Sequence, residues 1–111
     1  MNVAVHLGKT DLSEAMRQYI ARRLHFSLGR FGARVGQLDV RIAGSPQLHG
    51  SRSHCHINAE IVPFGSVTVE ESSPDMYTAI DRATTRIGRL FAQELDRMRD
   101  MRIDRESIRA A

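Results

Sequence analysis

The chain has 111 residues, 41% of them apolar and 26% charged, which allows one domain with a modest core and argues against disorder of the whole chain. Its formal charge of +3 and pI near 9.7 suit an anionic partner without demanding one. Cys55 is the single cysteine, so neither an internal disulfide nor a cysteine-based zinc cage can form within one chain. With no run of about 18 apolar residues and no signal-peptide pattern, a reducing cytoplasm without a membrane role is expected.

From Asn2 to Leu7 the apolar Val3, Val5 and Leu7 alternate with Ala4 and His6, the period of a strand with one buried face. Asp11, followed three residues later by Glu14, has the form of a capping box. Leu12, Met16, Tyr19, Ile20 and Leu24 then gather on one stripe of a helix reaching about Leu28. Gly29, Gly32 and Gly36 punctuate the segment that follows, and Leu38, Val40 and Ile42 alternate with Gln37, Asp39 and Arg41 as a second strand. Residues from Gly44 to Ser53 read as a loop.

Cys55, Ile57, Ala59 and Ile61 alternate with His54, His56, Asn58 and Glu60 in a third strand, which Pro63 and Gly65 end. Val67 and Val69 define a fourth strand, so close to the third that an antiparallel hairpin is expected. At Ser72-Ser73-Pro74-Asp75 a serine cap, a proline and an acid announce a second helix. Its apolar face runs through Met76, Ile80, Ala83, Ile87, Phe91, Leu95 and Met98, with Gly88 as a local weakness. The expected division is one domain over residues 1–99 and a short charged tail over 100–111, frayed or disordered. The order strand, helix, three strands, helix predicts an α+β fold, a four-stranded sheet with both helices packed on one face.

With about 100° per residue and Ile80 at zero, Arg82, Arg86, Arg89 and Arg97 fall at roughly 180–260°, opposite the apolar face. Glu94 lies toward the apolar side and Asp96 at the edge of this stripe. A guanidinium is a planar fork of donors that matches phosphate oxygens, and a helical row of them can follow a polynucleotide backbone; an ordinary solvated face would carry the same row. The first helix adds Arg17, Arg22 and Arg23, with Arg30 in the turn after it, and adjacent helices would merge these into one patch. Arg23 lies near the apolar stripe and equally suits a snorkelling role.

His54 and His56 share a strand face, but no third ligand with recognisable spacing joins them, and Cys55 reads as a small buried hydrophobe. No nucleophile with a base, carboxylate pair or phosphate-cradling glycine loop is apparent. The expectation is therefore a binding module with no catalytic or metal site, no cofactor and no small-molecule substrate.

Asp75-Met76-Tyr77-Thr78-Ala79-Ile80-Asp81 resembles the D-M-Y-x-A-I-[DN] signature of the ribosome hibernation-promoting and ribosome-associated inhibitor family, also called the sigma-54 modulation family. Leu12 through Leu24 is similar to that family's first helix, and the element order agrees over roughly residues 1–98. The resemblance implies a β-α-β-β-β-α fold shaped like a double-stranded-RNA-binding domain (dsRBD-like). It also implies binding to rRNA of the small ribosomal subunit in the tRNA and mRNA channel, with translation inhibited by occlusion. On this resemblance Arg86 and Arg89 match basic positions of the second helix, and Arg23 and Arg17 match positions of the first.

Arg82 extends the row without a family counterpart, Gln93 and Phe26 stand where the family usually has lysine, and the loop at 44–53 is longer. The chain is similar to the short class of the family, expected to be a monomer away from the ribosome. The alternative is a protein-interaction module that regulates a transcription factor through an acidic partner surface.

Overall fold

The computed structural model describes residues 2–7, 13–44 and 52–110. The elements are β1 (Asn2–Leu7), α1 (Glu14–Leu28), a 3₁₀ turn (Gly29–Arg34), β2 (Val35–Ala43), β3 (Ser53–Ile61), β4 (Ser66–Ser73) and α2 (Met76–Ala110). The sheet order is β1-β2-β3-β4, with β1 parallel to β2 and the other two pairings antiparallel. Parallel neighbours cannot be joined by a tight hairpin, so the chain crosses over through α1; β3 and β4 need only the short turn around Pro63 and Gly65.

The expected α+β architecture is borne out, including the antiparallel hairpin. Alternation explains why the helices cover one face. Leu38, Val40, Ile42, Cys55, Ile57, Ala59, Ile61 and Val69 are buried together with Met16, Ile20, Leu24 and Leu28 of α1 and with Met76, Ile80, Ile87 and Phe91 of α2. Their strand neighbours His54, Glu60, Thr68 and Glu70 point away and are exposed. A bulge between Val35 and Leu38 readjusts β2, and a Cβ on Gly36 there would run into the Glu60 carboxylate. Gly32 takes φ 55° in the 3₁₀ turn, a left-handed conformation that favours glycine.

Both helix starts differ in detail from the sequence reading. Asp11 and Leu12 lie outside the described residues; the cap of α1 is Ser13, whose hydroxyl accepts from Met16 N–H at 3.2 Å. In α2 the Asp75 carboxylate accepts from the N–H of Thr78 at 3.3 Å and from its hydroxyl at 2.8 Å, so an aspartate rather than a serine closes the helix. Ser73 instead accepts from the N–H of Asp75, setting the turn that feeds the helix. Helical backbone continues past Arg99 to Ala110, through the segment read from sequence as a frayed or disordered tail.

Cys55 faces the helices from β3, and burial pushes its thiol up to about 12. A thiol reagent at pH 8 should therefore leave the native protein unmodified and label it at the rate of unfolding. Immediate stoichiometric labelling in native buffer would contradict this packing.

Candidate nucleic-acid interface

The two helices run parallel and meet along one line of contacts. The Tyr19 hydroxyl donates to Asp81, and its ring meets Tyr77 edge-on at 5.1 Å. One helical turn further, Arg23 donates to Thr84 Oγ1 at 3.3 Å, to the Asp81 carbonyl at 3.4 Å and to Thr85 Oγ1 at 3.0 Å. At the next turn Ser27 lies against Gly88, where an added Cβ would come 3.1 Å from the Ser27 carbonyl oxygen. Gly88 thus does more than weaken α2: its missing side chain lets the helix axes approach.

The hydrogen bond to Asp81 raises the Tyr19 pKa above its ordinary 10.0, with desolvation adding to the effect. A group with a raised folded-state pKa contributes stability that is intact below the unfolded value and lost as pH climbs through the folded one. Tyr19→Phe is expected to cost about 1 kcal/mol at neutral pH and to weaken the loss of stability above pH about 10. Urea titrations at pH 7 and at alkaline pH would measure both.

This line of contacts sorts the seven arginines. Tyr19, Arg23 and Ser27 mark the flank of α1 that faces α2, so Arg22 and Phe26 occupy its outward ridge. Arg17, spaced with Ala21 and His25, lies on the opposite flank, away from α2. On α2, Arg82 and Arg89 point outward, Arg86 leans toward β4, and Arg97 stands two turns beyond Arg89. Arg82, Arg86 and Arg89 therefore share one side of α2, Arg22 stands on the outward ridge of the neighbouring helix, and Arg23 lies between the two helices. Arg17 lies on the far flank of α1, and Arg97 lies further along α2.

Three of the seven guanidiniums meet carboxylates. Arg23 pairs with Asp81 at 3.4 Å and is only 30% exposed, so it bridges the helices as well as adding charge. Arg86 pairs with Glu71 of β4 at 3.2 Å. Arg97 pairs with Glu94, whose carboxyl this contact holds below its usual value. Solvent screens exposed pairs of this kind, so they add little to stability and leave the guanidinium able to take another anion. Among the described residues Arg17, Arg82 and Arg89 have no ion-pair partner.

Arg82, Arg86 and Arg89 converge with Glu71, Asp81 and Thr85 on an open depression of about 370 Å³. The exposed face of the sheet is of mixed charge: Asp39, Glu60 and Glu70 accompany Arg41, His54 and His56 there. Arg52, just before β3, donates to the hydroxyl and carbonyl of Ser72. Among the described residues no three His, Cys, Asp or Glu side chains cluster as metal ligands, and no helix is long and apolar enough to cross a membrane.

The family model for the sigma 54 modulation protein / S30EA ribosomal protein matches residues 3–99. The chain belongs to this family. Within the S30EA family fold, the N-terminal domain of Thermus thermophilus Protein Y is similar with a TM-score of 0.66 and 28% identity, over 81% of this chain and 94% of that one. A ribosomal subunit interface protein from Coxiella burnetii has a TM-score of 0.71 over 86% of this chain and 99% of that one; at 15% identity its likeness supports the fold alone. No curated relative matches significantly. The resemblance carried by Asp75–Asp81 is thus borne out at the level of the family.

Proposed function

We propose that this S30EA-family chain is a ribosome hibernation factor that holds rRNA of the small subunit against the outer face of its two helices. It would occupy the channel that tRNA and message need and inhibit translation by occlusion. The observation that carries the reading is the outnumbering of Glu71 and Asp81 by Arg22, Arg82, Arg86 and Arg89 on the helical side, while the open sheet face sets Asp39, Glu60 and Glu70 against Arg41. Family membership supplies the ribosomal context.

The chemistry required is modest. Arg82, Arg86 and Arg89 succeed one another along α2 with rises of about 6 Å and about 4.5 Å, so they reach separate phosphates rather than one. Each contact is a charge-assisted hydrogen bond that releases counterions, which gives affinity a steep salt dependence. Shape and backbone position, rather than base edges in a deep groove, set the choice of an RNA helix. No bond is made or broken, and no cofactor has a part.

Sucrose-gradient profiles of ribosomes with and without the protein test this reading. Co-migration with the small subunit, diminishing as salt rises, is expected; absence from every ribosomal fraction would refute it. The guanidinium–carboxylate pairs at Arg86 and Arg97 also favour a second reading, an acidic protein partner. Capture that survives ribonuclease would support that alternative.

A further inference from the structure

Phe26 is 82% exposed, the most exposed large apolar side chain among the described residues. It stands on the outward ridge of α1, one turn beyond Arg22. The next residue, Ser27, touches α2 at Gly88, so the ring lies level with the outward Arg89 of the neighbouring helix. The close approach that Gly88 permits therefore sets the exposed ring, one turn from Arg22 on its own helix, beside the helix that carries Arg82 and Arg89. A solvated benzyl group contributes nothing to the core here, since the buried face of α1 is completed by Met16, Ile20, Leu24 and Leu28.

An aromatic ring framed by phosphate-binding groups is the arrangement on which proteins stack unpaired bases: cations hold the backbone and the ring receives the face of a base. We infer that Phe26 is a stacking platform for one unpaired base of the RNA held by Arg22, Arg82 and Arg89. This inference rests on the proposed RNA-binding function and deepens it. The target is a helix bearing a bulged or flanking unpaired nucleotide, in place of a uniform duplex. Arginine contacts supply salt-dependent affinity, whereas the ring supplies a contact that salt does not screen.

Binding of purified small ribosomal subunits to four variants tests the assignment. Phe26→Ala and Phe26→Leu should each weaken binding roughly tenfold to a hundredfold, because leucine keeps apolar area but has no π face. Phe26→Tyr should bind as the parent does. The slope of affinity against salt should be unchanged in all three, since every arginine remains on its phosphate.

The chain contains no tryptophan, so the indole introduced by Phe26→Trp is the protein's single one, and with protein-free small-subunit rRNA as the probe stacking should quench its emission on binding. Parent-like binding by Phe26→Ala would overturn the platform, and so would retained binding by Phe26→Leu with weakened binding by Phe26→Ala. If Arg82→Glu with Arg89→Glu still abolished binding in those cases, the arginine-based function would stand without it. Failure of the parent protein to bind small subunits would refute both.

Discussion

Reversing Arg82 and Arg89 together to glutamate is expected to lower affinity for small ribosomal subunits by at least about a hundredfold, since each hydrogen bond to a charged group that is removed is worth about 1.5–3 kcal/mol. These two positions separate binding from folding more cleanly than their neighbours do. Neither takes part in an ion pair among the described residues, and both project outward from α2. The melting temperature should therefore stay within a few degrees of the parent value, as for surface substitutions away from special features.

Arg86 is a less decisive target, because its removal also leaves Glu71 without its partner. Arg23 is poorer still, because its guanidinium ties α1 to Thr84, Thr85 and Asp81. In the double reversal the salt slope should fall by roughly one for each phosphate that is no longer neutralised. An unchanged slope with intact affinity would place the RNA on another face.

Phe91→Ala should be the most damaging single truncation of the core, with a loss of about 3–5 kcal/mol. Phe91 is fully buried among the residues that join α2 to the sheet, and its ring lies 4.8 Å from that of Phe31 in the 3₁₀ turn. Truncation would leave a cavity and release Phe31, over which Arg30 places its guanidinium at 4.8 Å. Since domains of this size are stable by about 5–15 kcal/mol, the substitution should lower the melting temperature by roughly 15–25 °C. Urea unfolding should show a lower midpoint at an unchanged slope, and a midpoint within experimental error of the parent would contradict the assigned packing.

Much of this fold was legible because two periodicities are cleanly separated in the chain. Cys55, Ile57, Ala59 and Ile61 can satisfy only a strand, and Ile80, Ile87 and Phe91 only one face of a helix. Caps were less legible because neighbouring small polar residues compete for one role. Asp11 and Ser13 both precede α1, and Ser73 and Asp75 both precede α2; backbone geometry decides which side chain receives the helix N–H groups.

For the candidate interface, periodicity identified the outward residues of α2 but could not reveal what other elements bring to them. Glu71 reaches Arg86 from β4, and Asp81 reaches Arg23 from the opposite helix. A helical stripe has two flanks, and sequence alone does not say which one faces a neighbour. Arg17 was grouped with the others for that reason, and the Tyr19–Arg23–Ser27 seam places it on the far side. Phe26 was visible only as a departure from lysine; its meaning depends on the approach at Gly88, which links residues far apart in the chain.

Photo-cross-linking from opposite sides of the domain is the most direct test of where the RNA lies. A benzophenone side chain at Gln93, exposed on the outer part of α2, should form cross-links to rRNA in complexes with small subunits, whereas one at His54, exposed on the open sheet face, should form none. Cross-links to rRNA from His54 together with silence at Gln93 would contradict the account.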